Sequence, residues 1–238
     1  MKEKIYTIPL NEAFETSCEC PLCKLEQQLE QEAVDYTLGA AMMEPDFRIE
    51  SNEKGFCNHH YSLLFSQKNK LSLALILETH LQEIIEKLDS LKTNPEKSAF
   101  LKKPTNNKLF NSCSSCIVCD KINNTMERYI DVFFYMWSKD ENFKNKVLKS
   151  KGFCLKHFET LFKNAYKYLN KNEAQNFLNI LKDKEKDELM RIHEDIHKFT
   201  LKFDYRNKDM DWGTAIDAPI RTVEKLSGYL FQEYYPEN

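Results

Sequence analysis

Glycine is the scarcest of the turn-forming residues: only five occur among 238 residues, together with seven prolines. A phosphate-binding loop or a dinucleotide fingerprint needs several glycines at close spacing, and these five are too far apart for either motif. A many-stranded sandwich or barrel needs a turn about every 8 to 12 residues. The shortage of turn residues therefore disfavours these folds and favours a helical one.

Long hydrophobic runs are also missing. The longest aliphatic run covers only residues 73–77, whereas a membrane-spanning helix needs about 20 predominantly apolar residues. The first residues contain lysines but neither the apolar region nor the small-residue cleavage site of a secretion signal. We therefore expect a cytoplasmic protein with no membrane partner.

The sequence has little excess charge of either sign. Its 34 basic and 37 acidic side chains give a formal net charge of −3, and the two signs are interspersed. Binding of duplex nucleic acid requires a basic face. We therefore expect no duplex nucleic acid partner, and the sequence does not identify the protein or small molecule that the chain binds.

The cysteines are the most informative residues present. There are eight of them, and in a reducing compartment clustered cysteines indicate metal or redox chemistry before disulfides. A Cys-x-x-Cys pair followed by a Gly-Phe-Cys-x-x-His segment occurs twice, and the second copy lies 96 residues after the first at the cysteine pair and 97 at the Gly-Phe-Cys segment. This spacing predicts an internal duplication. The repeated residues are Cys20, Cys23, Cys57 and His60 in the first half, and Cys116, Cys119, Cys154 and His157 in the second.

These repeated residues predict two metal sites. Three thiolates and one imidazole are the donor set of a structural zinc ion, and residues three apart share one face of a helix. We therefore predict two zinc ions, one in each half. An exchanged arrangement, in which Cys20 and Cys23 join Cys154 and His157, stays open. Because His157 aligns with His60, we expect His59 to be solvated or to support a ligand from outside the coordination shell.

An iron–sulfur cluster is the main alternative to zinc. Cys113, Cys116 and Cys119 form a C-x2-C-x2-C run that resembles a ferredoxin motif, with Cys154 as a distant fourth ligand. The first half lacks this run and has Cys18 two residues before Cys20, so Cys18 and Cys113 are expected to be spare. A Cys-x-x-Cys pair at a helix start also suits a dithiol switch. The alternative function is therefore an iron–sulfur or thiol-based redox or oxygen sensor.

A His-Glu-x-x-His match occurs at His193, Glu194 and His197. In zinc proteases this motif supplies two zinc ligands and a general base. Here the helical period places Ile192 and Ile196 on the core face and both histidines at its edge among charged residues. A solvated helix is therefore the favoured interpretation, and we expect no catalytic residues; a metal-dependent hydrolase would require a third ion at this motif.

Helical periodicity along the chain predicts an all-α fold. We expect two pseudo-repeated helical halves, each with a CxxC…CxxH metal site, followed by a long C-terminal helix and a short tail. The predicted boundaries are 1–92 for the first metal-binding repeat, 93–112 for a linker rich in Lys, Asn and Ser, 113–170 for the second repeat, and 171–238 for the long helix and tail. The long helix is expected from about Asn172 to Phe203, and Asp217 is expected to cap a last helix that ends at Gly228.

The chain resembles a domain family of unknown function from anaerobic Firmicutes. The motifs that carry the resemblance are CPLC at 20–23, MMEPDFRIE at 42–50, GFC at 55–57, MERY at 126–129, GFCLKH at 152–157 and KFDYRN at 202–207. The resemblance covers nearly the whole chain and implies paired cysteine/histidine sites without an assigned activity. Together with the motifs, it leads to the hypothesis of a zinc-binding helical protein that acts as a binding or regulatory module.

Overall fold

The computed structural model of the protein describes residues 4–89 and 115–230. Within these ranges the chain forms α-helices and short 3-10 helices and no strand, so the predicted all-helical fold with a long C-terminal helix is confirmed. The α-helices are α1 (Lys4–Glu15), α2 (Pro21–Leu38), α3 (Pro45–Lys54), α4 (Asn58–Ser66), α5 (Lys70–Asp89), α6 (Ile117–Lys139), α7 (Glu141–Lys149), α8 (Leu155–Tyr168), α9 (Lys171–Lys202) and α10 (Ala218–Ser227). The 3-10 helices are Ala40–Met43, Tyr205–Asn207 and Gly213–Ala215.

None of the helices in the described ranges has the length and apolar character needed to cross a membrane. The predicted linker, 93–112, lies outside the described residues.

The chain divides into two compact units. The first unit comprises Met1–Gln28 and Met126–Asn238, and the second comprises Leu29–Thr125. The division therefore falls inside α2 and inside α6.

An aromatic core holds the first unit together. Phe133 of α6 is fully buried, and its ring lies 5.6 to 6.1 Å from four other phenylalanine rings, measured between centroids. Most of these pairs are edge-to-face, which is a favoured geometry for aromatic rings. The four rings belong to Phe14 of α1, Phe143 of α7, Phe153 of the loop before α8, and Phe177 of α9. This core therefore fixes the loop from which α8 begins.

Hydrogen bonds join α3 to α5 in the second unit. Arg48 donates to the backbone oxygen of Leu75 at 2.7 Å and to the hydroxyl of Thr79 at 2.6 Å. The imidazole of His80, which is buried, lies 2.9 Å from the backbone oxygen of Asn52 through Nδ1. These bonds hold the end of α3, and hence the Gly-Phe-Cys loop that follows it, against α5.

The ends of some helices differ from the sequence prediction. The long helix α9 ends at Lys202, one residue before the expected end. Asp217 is the N-cap residue of α10 as predicted, but its side chain makes no capping hydrogen bond and accepts one from Arg221 at 2.8 Å. Helix α1 was not predicted, since it contains Pro9, a residue that normally disfavours helix interiors.

A buried ion pair fixes the loop before α8. Lys225 of α10 is fully buried, and its ammonium donates to the backbone oxygens of Lys151 and Phe153 at 2.5 and 3.0 Å. It also lies 3.4 Å from the carboxylate of Glu185 on α9, and that carboxylate accepts from the amide of Phe153 at 2.9 Å. Gly152 in this loop has a φ of +77°, and a Cβ there would lie 2.7 Å from Glu185 Oε2. The pair therefore holds a backbone conformation that only glycine adopts easily here.

We predict that Lys225→Met lowers the free energy of unfolding by about 3–5 kcal/mol, because Glu185 is left buried without its cation. Urea unfolding followed by circular dichroism measures this loss. The double variant Lys225→Met/Glu185→Gln is expected to recover part of it. Lys163→Met is the control, since Lys163 pairs with Glu159 on an exposed surface and should change stability by less than about 1 kcal/mol. Equal stability of Lys225→Met and the native protein would contradict the role of the pair.

Candidate metal centres

The first cluster lies within the first unit and consists of Cys20, Cys23, Cys154 and His157. Each residue offers one ligand atom, these atoms all lie within 4.8 Å of one another, and all four residues are buried. Cys20 directly precedes α2 and Cys23 lies in its first turn, while Cys154 is the N-cap residue of α8 and His157 lies in the first turn of that helix. The starts of two helices therefore meet at this cluster.

The imidazole of His157 faces the three sulfurs with Nδ1. This nitrogen lies 3.2 Å from Cys154 Sγ, 3.3 Å from Cys23 Sγ and 3.5 Å from Cys20 Sγ, and the sulfurs of Cys23 and Cys154 are 3.4 Å apart. The outer nitrogen, Nε2, lies 3.6 Å from the carboxylate of Glu26 on α2. The ring is thus held between the sulfurs and a carboxylate.

The second cluster lies within the second unit and consists of Cys57, His60, Cys116 and Cys119. Cys57 is the N-cap residue of α4, and His60 lies in the first turn of that helix. Cys116 directly precedes α6, and Cys119 lies in its first turn. His60 and Cys116 are buried, whereas Cys57 and Cys119 are half-buried. Two helix starts therefore meet here as well.

His60 is oriented in the same way as His157. Its Nδ1 lies 3.2 Å from the sulfurs of Cys57 and Cys116 and 3.4 Å from that of Cys119, and the sulfurs of Cys57 and Cys119 are 3.8 Å apart. Its Nε2 lies 3.2 Å from Oε1 of Glu30 on α2. The Nδ1 atom is therefore the nitrogen available to an ion between the sulfurs.

Similar loops present Cys57 and Cys154. The glycine two residues earlier has a φ of 66° at Gly55 and 77° at Gly152, and both cysteines are extended with a φ of −73°. This geometry turns each chain into its helix and leaves the thiol beside the helix N-terminus, where the positive end of the helix dipole favours a thiolate.

The loop before Cys57 is tied to the start of α6 by two hydrogen bonds. The hydroxyl of Ser115 donates to the backbone oxygen of Lys54 at 2.8 Å, and the amide of Ile117 donates to that of Gly55 at 3.2 Å. Lys54 also pairs with Asp120 at 2.7 Å. These bonds bring the two halves of the second cluster together.

The sulfurs in each cluster compete for negative charge. In the first cluster, hydrogen bonds from Cys20 and Cys23 lower the pKa of Cys154, whereas burial raises the pKa of Cys20 and the hydrogen bond with Cys154 raises that of Cys23. Only Cys154 therefore carries a negative charge easily, because the protonated thiols of Cys20 and Cys23 donate hydrogen bonds to it.

The second cluster shows the same competition with His60 as an added proton donor. Burial is the largest single influence on Cys116 and opposes its charge, but the hydrogen bonds from His60 and from the backbone of Cys119 and Cys57 together outweigh it and lower the pKa of Cys116 to about 6. Burial likewise opposes charge on His60, yet the bonds to Cys116 and Glu30 raise its pKa to about 10. Burial and the charge of Cys116 raise the pKa of Cys119. A central dication would remove this conflict, because it stabilises all three thiolates at once.

The two cysteine/histidine clusters predicted from the sequence are present, and they have the exchanged arrangement. Cys20 and Cys23 meet Cys154 and His157, so the two ligand pairs of each half of the sequence belong to different clusters. Sequence spacing fixes which residues share a helix turn, but it does not determine which two turns meet. Both pairings use the same four ligand pairs, with the same spacing of three residues within each pair.

Other candidate residues lie outside the two clusters. Cys18 is half-buried and belongs to neither cluster, and Cys113 lies outside the described residues. His59 bonds to Glu30 at 2.9 Å. His193 and His197 are exposed on α9 and are in none of the groups of metal-ligating side chains found in the described ranges.

Sequence reasoning missed the two carboxylates behind the histidines. Glu26 and Glu30 lie four residues apart on α2, and residues at this separation share a helix face. Their position in the same helix as Cys23 was the available signal.

No curated protein and no solved structure matches the chain. The model of a protein family of unknown function, DUF6062, matches residues 1–233. Because this match covers nearly the whole chain, the protein belongs to the DUF6062 family.

Proposed function

We propose that the protein is a binding or regulatory module in which each cluster holds one structural zinc ion. The first ion is bound by Cys20, Cys23, Cys154 and His157. The second is bound by Cys57, His60, Cys116 and Cys119. A set of three thiolates and one imidazole is typical of structural zinc and leaves no open position for a substrate. The ions therefore serve the fold rather than a reaction.

The separations between ligand atoms carry this proposal. With zinc–sulfur bonds of about 2.3 Å and zinc–nitrogen bonds of about 2.0–2.1 Å, a tetrahedral site places two sulfurs about 3.8 Å apart and sulfur and nitrogen about 3.6 Å apart. The sulfurs of Cys23 and Cys154 lie 3.4 Å apart, those of Cys57 and Cys119 lie 3.8 Å apart, and the sulfur–nitrogen distances are 3.2 to 3.5 Å. The four ligand atoms of each cluster therefore lie close enough together to bind one ion.

The same distances favour one ion over an iron–sulfur cluster. In a four-iron cluster each protein ligand binds a different iron, so the ligand sulfurs are separated by the whole cluster. Here the ligand atoms of each site lie within 4.8 Å of one another. Binding of a four-iron cofactor would require the helix starts at each site to move apart.

The carboxylates behind the histidines support ligation through Nδ1. A zinc-bound histidine commonly donates its other N–H to a carboxylate, which fixes the tautomer and makes the ring a better ligand. Glu30 lies 3.2 Å from Nε2 of His60, and Glu26 lies 3.6 Å from Nε2 of His157. The second cluster therefore has the hydrogen-bonded support that a metal-bound imidazole uses, and the first has a carboxylate in the corresponding position.

We predict two zinc ions per chain by elemental analysis of protein purified without oxygen, with no visible absorption. Removal of zinc by a strong chelator should lower helicity and the melting temperature, because a structural zinc ion contributes about 10–16 kcal/mol whereas a whole domain is stable by only about 5–15 kcal/mol. Circular dichroism measures both effects.

Two cysteine variants make the assignment specific. Cys23→Ser should lose one ion, whereas Cys18→Ser should keep both, since Cys18 belongs to neither cluster. Brown protein with bound iron would instead favour the redox or oxygen sensor. Unchanged helicity and melting temperature after complete zinc removal would contradict a structural role.

We also predict that Glu30→Gln and Glu26→Gln each lower the zinc affinity of one site by about 10- to 100-fold, as losses of such outer partners commonly do. Competition with a chromophoric chelator measures the affinity. Glu32→Gln is the matched control because Glu32 is exposed on the same helix. Zinc affinities of the two variants equal to that of the control would contradict the role of Glu26 and Glu30 in positioning the ligand histidines.

A further inference from the structure

The two clusters differ in their access to solvent. All four residues of the first cluster are buried, whereas Cys57 and Cys119 of the second are half-buried. An ion in the second cluster therefore has two ligands that solvent and a competing ligand can approach. This difference in burial makes an ion in the second cluster easier to exchange than one in the first.

A further group of ligand atoms lies beside the second cluster. We call it the rim group, and it consists of Glu30, His59 and His60, each of which offers one ligand atom within 4.8 Å of the others. Glu30 Oε1 lies 2.9 Å from the nitrogen of His59 and 3.2 Å from that of His60. Two imidazoles and one carboxylate form a zinc donor set that leaves one position open. The side chain of His59 is 34% exposed, so an ion can reach the group from solvent.

The first cluster has a lysine where the second has His59. Lys156 directly precedes His157, as His59 precedes His60, and its ammonium binds Glu26 at 2.5 Å. An ammonium has no lone pair with which to bind a metal ion, and its positive charge repels one. The first cluster therefore has the same carboxylate support but no second ligand beside it.

We propose that the second cluster exchanges its zinc and that the rim group binds Zn²⁺ as it enters or leaves. This inference rests on the proposed zinc sites and goes beyond their structural role. It assigns Glu30 and His59 a transient metal-binding function in addition to the support that Glu30 gives His60. The first cluster, with Lys156 in place of a ligand, keeps its ion.

The orientation of His60 explains how the rim group serves exchange. An ion leaves a four-ligand site by losing its ligands one after another, and the imidazole is the one ligand without a negative charge. Its Nδ1 faces the sulfurs and its Nε2 faces Glu30, so the ring lies between the cluster and the rim group. When His60 releases the inner ion, its ring, His59 and Glu30 are the neighbouring ligands.

Zinc transfer to a chromophoric chelator tests the proposal. The full-length protein, shown by elemental analysis to hold two zinc ions, is mixed with excess 4-(2-pyridylazo)resorcinol, and the absorbance of the zinc complex is followed with time. We expect two phases of one equivalent each. His59→Lys, which gives the second cluster the lysine of the first, should slow the fast phase about 10-fold or more while two zinc ions remain bound. His193→Lys, a change at an exposed histidine of α9, should leave both phases unchanged.

The reciprocal variant keeps the test decisive if His59→Lys does not fold. Lys156→His retains Glu26 and places an imidazole beside the first cluster, so it should speed the slow phase. Release of both ions at one rate in the native protein, or an unchanged fast phase in folded His59→Lys, overturns the proposal. If that variant loses its fold or an ion, an unchanged slow phase in Lys156→His overturns it. Fewer than two zinc ions before mixing is a failure of the proposed function instead.

Discussion

Each cluster requires three sulfurs to lie together at the starts of two helices, and this concentration of charge constrains the rest of the structure. A helix N-terminus carries about half a positive charge, so two of them offset only about one of three thiolates. A dication offsets the other two. The separation of the ligands along the sequence has a smaller effect on stability. Cys23 and Cys154 are 131 residues apart and Cys57 and Cys119 are 62 residues apart, but each doubling of loop length adds only about 0.6 kcal/mol to the free energy of loop closure.

The same motif is held in place by different supports in the two units. In the first, the loop before Cys154 is bound by the buried Glu185–Lys225 pair from α9 and α10. In the second, the loop before Cys57 is bound by Ser115 at the start of α6. Helices α9 and α10 are thus part of the support of the first cluster, which accounts for the burial of Glu185 in α9 and of Lys225 in α10.

The sequence allowed prediction of the ligand residues and the helical class, but not of the contacts between distant segments. Cys57 and His60 could be placed on one helix turn because their spacing is local. Which cysteine pair they meet depends on packing, and both pairings satisfy the same local rules. Lys225 and Glu185 were not predicted because charged side chains are seldom fully buried, and their burial depends on loop atoms 32 to 74 residues away. Helix α1 was not predicted because it contains Pro9, and proline normally disfavours the interior of a helix.

The difference between Lys156 and His59 gives the two sites different physical properties. Both residues contact the carboxylate that lies behind the ligand histidine, at 2.5 Å in one site and 2.9 Å in the other. The lysine keeps a permanent positive charge there, which supports the carboxylate and repels a second cation. The histidine instead has a lone pair with which it can bind a metal ion. Since the site with the lysine is also the one with four buried ligands, burial and outer-sphere charge act in the same direction. Under the proposed function, this combination would let one ion maintain the fold while the other responds to the metal supply.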